Sequence, residues 1–152
     1  MTETSYCHSV ASYEDATKGF KYAYESCGRG LPSTESKIID IQTGKLLPHD
    51  VEGELCVRGR HVFKGYWDEP EKTKETIDKH GWLHTGDIFS MDSKGYLYFK
   101  SRAKDIIIRG GANIYPAEIE SYLSTHPLIQ DAQCFGVYYI SISLNEINEF
   151  SI

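Results

Sequence analysis

Asp87, Arg102 and Lys104 are the residues of this chain whose types and spacing best suit a small ligand. Asp87 follows Thr85-Gly86 on a tight turn between two apolar segments. A carboxylate there can accept two hydrogen bonds from a diol such as a ribose, or it can simply satisfy its own turn backbone. Arg102 lies just beyond a strand, with Lys104 two positions on. Alternate residues of an extended chain point the same way, so both cations can face one ligand. The plainer reading is a solvated pair at a strand end. Gly110 and Gly111 lack Cβ atoms and let backbone approach a ligand closely, or form an ordinary hairpin turn. Thr2 and Glu3 offer a hydroxyl and a carboxylate, oxygen donors suited to a hard cation such as magnesium, unless they only fray at a chain end.

The elements that must carry these side chains are short. Lys37 to Ile41 predicts a strand, and Glu54-Leu55-Cys56-Val57-Arg58 alternates polar and apolar residues as a half-buried strand does. Asp68-Glu69-Pro70-Glu71 predicts the start of a surface helix running to about Ile77, with Asp68 and Glu71 closing a capping box. Ile88–Met91 and Tyr96–Lys100 flank Asp92-Ser93-Lys94-Gly95, the pattern of a β-hairpin. Ile106–Arg109 and Ala112–Ile114 flank Gly110-Gly111 as a second hairpin. Pro116 opens a helix with Ile119, Tyr122 and Leu123 on one face, stopped by His126-Pro127. Ala132–Val137 predicts a buried strand, and Tyr138–Leu144 a further pairing segment before an unpatterned end.

Composition narrows the function class. The 152 residues are 40% hydrophobic and 25% charged, as in a soluble globular chain. A net charge of −6 argues against sequence-independent nucleic-acid binding, which needs a basic face to displace counterions. A single nucleotide needs only a few local donors. No apolar run is long enough to span a bilayer, and the first residues lack a secretory pattern. Cys7, Cys27, Cys56 and Cys134 form no C-x-x-C pair, which favours reduced thiols over a zinc or disulfide framework. The histidines show no H-E-x-x-H spacing, so a histidine metal site has little support.

Each signal is weak alone; their order is not. Thr2-Glu3, Gly53-Glu54-Leu55, Gly65-Tyr66, His84-Thr85-Gly86-Asp87, Ser101-Arg102-Ala103-Lys104 and Gly110-Gly111-Ala112-Asn113-Ile114-Tyr115-Pro116-Ala117-Glu118-Ile119-Glu120 fall in sequence. Over roughly residues 1 to 137 the chain thereby resembles the AMP-forming acyl-CoA synthetase family, in wording most like its medium-chain fatty acyl-CoA branch.

The resemblance implies ATP, magnesium and coenzyme A as cofactors. A carboxylic acid, here a fatty acid, is activated as an acyl-adenylate and passed to coenzyme A. It implies that Thr2 and Glu3 meet the adenylate phosphate and magnesium, and that Asp87 and Arg102 hold the ribose. Lys104 becomes the hinge of a swivelling small domain, and Gly110 and Gly111 line the pantetheine channel. It implies an α+β fold with the end of the large domain over 1–103. Within it, residues 1–37 pack loosely and residues 38–103 form a strand-rich, partly barrel-like subdomain. An incomplete small α/β C-terminal domain begins over 104–137, and 138–152 is an unrelated tail. The glycine-rich phosphate loop is not among these residues, and no lysine follows Lys104, where the family's adenylating lysine is expected. The expectation is therefore a fragment, a truncated isoform or an incomplete gene product, inactive alone. Alternatives are a non-catalytic partner of a full-length synthetase, and an unproductive product. The compartment implied is the mitochondrial matrix or the cytoplasm.

Overall fold

The computed structural model of the chain describes residues 1–17 and 21–137. Its centre is an open four-stranded antiparallel sheet in the order β3 (Thr34–Ile39), β4 (Gly53–Gly59), β5 (Leu83–Met91), β6 (Leu97–Arg102). Alternation along β4 turns Leu55 and Val57 to one face and Glu54, Cys56 and Arg58 to the other, as the sequence pattern requires. Leu55 and Val57 join Ile38, Leu83, Phe89 and Leu97 in a single core, covered by Leu47, Val62, Phe63, Ile77 and Met91. The expected barrel-like closure does not occur, because β3 and β6 remain separate edges. The mixed α+β character stands.

The β5–β6 hairpin turns over Asp92–Gly95. Asp92 accepts from the Lys94 and Tyr96 amides at 2.9 Å each, locking the turn. Two irregularities interrupt the sheet, one between Glu54 and Cys56 and one between Ile88 and Phe89. Such bulges re-aim side chains, and the second lies next to Asp87. The helix α2 (Pro70–Thr76) buries no side chain, as expected of a surface helix. Its capping box is not formed: Asp68 sits at φ 55, and the N-cap is Glu69 without a side-chain bond. Thr73 Oγ1 holds the entry instead, accepting from the Tyr66 amide at 2.9 Å.

Residues 1–37 are expected to pack loosely; of these, the described residues 1–17 and 21–37 meet the sheet at several points. The short strands β1 (Ser9–Val10) and β2 (Arg29–Gly30) pair antiparallel, and between them lies the helix α1 (Tyr13–Thr17). Cys27 N donates to Leu97 O at 2.7 Å, and Leu97 N donates to Gly28 O at 2.9 Å. Gly28 has φ +77, and a Cβ there would lie 1.9 Å from the Val10 carbonyl carbon, so only glycine fits. Asp15 of α1 is buried and accepts from the Tyr96 hydroxyl.

A histidine clasp fastens the same region. His8 Nδ1 lies 2.9 Å from His61 Nε2, and His8 Nε2 lies 2.6 Å from Ser36 Oγ. Burial, then the neighbouring His61, pushes His8 down to about 4, and burial lowers His61 as well. Both folded values fall below the ordinary 6.5, so the unfolded chain takes up protons first as pH drops. The clasp's contribution is complete above about pH 6.5 and is lost toward about pH 4. The urea midpoint of the wild type is expected to fall across that window. His8→Gln should flatten this dependence; an unchanged slope would show that the clasp does not carry it.

Beyond β6 a 3₁₀ turn (Ala103–Asp105) leads into the hairpin of β7 (Ile107–Arg109) and β8 (Ala112–Ile114), then the helix α3 (Pro116–Leu123). Lys100 Nζ reaches Glu52 at 3.1 Å and Glu118 of α3 at 3.5 Å, joining the helix to the sheet. Ile119, Tyr122 and Leu123 lie on an outward face. The strand expected over Ala132–Val137 is not formed. Phe135 is 77% exposed and Val137 71% exposed, and no described strand pairs with this segment. The expected strand at Tyr138–Leu144, and the tail over 138–152, lie outside the described residues. No helix among the described residues is long and apolar enough to cross a membrane.

Candidate functional site

Asp87 and Arg102 face each other across the β5–β6 pair, in direct register. Arg102 Nε lies 3.8 Å from Asp87 Oδ1. Both open into a cleft of about 390 Å³, lined also by Met1, Glu3, Thr85, Gly86, Ala103 and Lys104. Asp87 belongs to a strand, not to a tight turn, and its place is fixed locally. Its amide donates to Thr85 Oγ1 at 3.1 Å, while Thr85 Oγ1 donates to Leu55 O at 2.7 Å. Gly86 has φ 69, and its amide donates to Glu54 Oε1 at 3.0 Å.

The electrostatics of the cleft are opposed. Burial pushes the Asp87 carboxyl above its ordinary range, the Arg102 guanidinium pulls it back, and Glu3 adds repulsion. Arg102 has its guanidinium largely in solvent, so the pair is open to a third partner. That is the arrangement a diol needs: a carboxylate to accept its hydrogens and a planar donor beside it.

Glu3 is held at the rim. Its Oε1 accepts from the Tyr66 hydroxyl at 2.9 Å, and its carbonyl accepts from Phe63 N at 2.8 Å. The carboxylates lining the cleft, Glu3 and Asp87, present oxygen donors, which fits magnesium held by one or two carboxylates. Lys104 lines the same cleft from the 3₁₀ turn. The extended-chain argument for pairing it with Arg102 therefore fails in detail, although both border one space. Thr2 heads the 3₁₀ turn Thr2–Thr4 and is not among the lining residues. Gly110 (φ 59) and Gly111 (φ 81) form the exposed tip of β7–β8, again outside the lining.

A second constellation escapes reading along the chain. Glu54, Cys56 and His84 bring a carboxylate oxygen, a thiol sulfur and an imidazole nitrogen to within 4.8 Å of one another. Cys56 and His84 are 28 residues apart but are register partners across β4 and β5. Only the strand pairing brings them together.

The comparisons with known proteins bear on the family. Residues 1–67 match the profile of the family described as AMP-binding enzyme. The chain is 51% identical over 112 residues to the medium-chain acyl-CoA ligase ACSF2, mitochondrial, of Rattus norvegicus. That match covers 74% of this chain and 18% of the relative, so the chain spans less than a fifth of that protein's length. The ATP-bound MatB of Rhodopseudomonas palustris superposes with a TM-score of 0.80 at 38% identity, over 90% of this chain and 26% of that one. The o-succinylbenzoate coenzyme A synthetase MenE of Bacillus subtilis, in complex with ATP and magnesium ion, gives 0.81 at 36%, over 92% and 28%. From this common sequence and this common fold, the chain belongs to the AMP-forming acyl-CoA synthetases, the AMP-binding enzyme family.

Proposed function

We propose that this chain supplies the ribose-holding wall and the hinge region of an ATP-dependent fatty acid–CoA ligase. One observation carries the reading: Asp87 and Arg102 converge on one cleft with Glu3 and Lys104 at its edges. Asp87 accepts the ribose hydroxyls and Arg102 donates beside it. Glu3 supplies a carboxylate to magnesium, and Thr2 a hydroxyl toward the adenylate phosphate. Magnesium, when bound, neutralises charge on the polyphosphate. Lys104, on the turn after β6, is the pivot about which the following hairpin and helix reorient between adenylation and thioester formation. Gly110 and Gly111 then pass the pantetheine arm of coenzyme A, since neither opposes it with a side chain. The name of the relative, a mitochondrial medium-chain acyl-CoA ligase, supports a medium-chain acyl substrate and a mitochondrial location.

These residues alone do not complete the reaction. They include no glycine-rich phosphate loop and no lysine after Lys104. Each missing donor is of the kind commonly worth about 100-fold or more in rate. A second reading, a non-catalytic partner of a full-length synthetase, is favoured by the outward apolar face of α3. Pyrophosphate release with octanoate, ATP and coenzyme A tests the division. The 152-residue chain is expected to give none. A longer chain that adds the phosphate loop and the lysine is expected to turn over. Turnover by the short chain would overturn the claim of inactivity. Failure of the longer chain with every fatty acid tried would overturn the ligase reading.

A further inference from the structure

The sheet face opposite the core holds a donor set that the nucleotide cleft does not use. His84 Nδ1 lies 2.9 Å from Glu54 Oε2 and 3.6 Å from Cys56 Sγ. One ring nitrogen therefore faces two partners while holding a single proton or a single lone pair. Protonated, it donates to the carboxylate and offers the thiol no acceptor. Unprotonated, it accepts from the thiol and turns its lone pair toward an anion. A cation between the three atoms satisfies all of them at once.

We propose that Glu54, Cys56 and His84 form a binding site for a thiophilic divalent cation of the zinc class. Thiolate, imidazole and carboxylate are the three ligand types zinc takes together. Zinc bonds of about 2.3 Å to sulfur and about 2.0–2.2 Å to nitrogen and oxygen set ligand-to-ligand edges of roughly 3.3–3.6 Å in a tetrahedron. The 3.6 Å sulfur–nitrogen edge already matches, the 2.9 Å oxygen–nitrogen edge opens by a small side-chain rotation, and the oxygen–sulfur edge, within 4.8 Å, adjusts with the same rotation. An outer partner is in place, because the Gly86 amide donates to Glu54 Oε1 at 3.0 Å and orients the carboxylate. Cys56 is fully buried between its strand neighbours, while His84 remains partly open, so an ion enters from the histidine side and keeps a water as fourth ligand. Binding displaces the Cys56 thiol proton to solvent, so affinity rises with pH. Lys37, paired with Cys56 across β3–β4, lies with its Nζ 4.3 Å from the centre of the Trp82 ring.

Cobalt(II) titration of the full chain under reducing conditions tests the site. One equivalent is expected to bind with a sulfur-to-metal charge-transfer band in the near ultraviolet, and zinc is expected to displace it. His84→Ala, at a partly open position, should weaken binding by more than the 10- to 100-fold that loss of an outer partner costs. Cys56→Ser should remove the charge-transfer band, with circular dichroism verifying its fold. Cys27→Ser, at an exposed thiol outside the cluster, should change neither. Absence of the band in the wild type, or a band that survives in folded Cys56→Ser or His84→Ala, would overturn the proposal.

Discussion

Leu83→Ala is expected to lower the unfolding free energy by about 2–5 kcal/mol, the range for truncating a buried leucine. Leu83 is 0% exposed, pairs with Val57 in register, and is bridged on its other side by Ile77. It thus joins the central strands to the segment that follows α2, and no neighbour can close over the gap without shifting β5. A small domain has a total stability of about 5–15 kcal/mol, so the variant loses a large fraction of it. Urea denaturation should show a lower midpoint with an unchanged slope. Leu46→Ala, at an exposed position, should stay within about 0.5 kcal/mol. A near-neutral Leu83→Ala would mean that the core does not centre on β4 and β5.

What can be read along the chain divides by the range of the interactions. The alternation of Glu54-Leu55-Cys56-Val57-Arg58 predicts β4 because a half-buried strand imposes a period of two. Asp92-Ser93-Lys94-Gly95 predicts the β5–β6 turn, since Asp92 closes it through its own local backbone. Pro116 marks the start of α3 for a similarly local reason. The capping box at Asp68 fails because the backbone there enters the left-handed region, and Thr73 takes over the entry. Ala132–Val137 reads as a strand by composition, yet no described strand pairs with it, and composition does not specify a partner.

The candidate site divides in the same way. Asp87, Arg102 and Lys104 stand out by type, but their convergence depends on the Asp87–Arg102 register across β5 and β6. Thr2, Gly110 and Gly111 stand out only weakly by type and take their roles from the resemblance, and the cleft does not include them in its lining. The His8–His61 clasp joins residues 53 apart, and Cys56–His84 joins residues 28 apart. No periodicity in the chain announces either pair.

Asp87→Ala is expected to weaken adenosine monophosphate binding by roughly 10- to 100-fold, since a hydrogen bond to a charged group contributes about 1.5–3 kcal/mol. The effect is local, because Asp87 is half-buried and its backbone stays fixed by Thr85 Oγ1 and by pairing with Arg102. Removing the carboxylate also leaves Arg102 without its partner at 3.8 Å. The guanidinium then turns to solvent instead of remaining beside the sugar. Arg102→Ala should cost less than Asp87→Ala, as its side chain is already largely in water. Equal affinities in wild type and Asp87→Ala would remove Asp87 from the nucleotide contacts.

The most direct measurement compares adenosine monophosphate with its 2′,3′-dideoxy analogue on the wild-type chain and on Asp87→Ala, by titration with amide chemical shifts as the readout. The Asp87–Arg102 cleft predicts at least 10-fold weaker binding of the dideoxy analogue by the wild type, little discrimination by the variant, and shifts concentrated at Thr85–Asp87 and Arg102–Lys104. Equal binding of both nucleotides by the wild type, or shifts that leave those residues unmoved, would contradict a ribose held between Asp87 and Arg102.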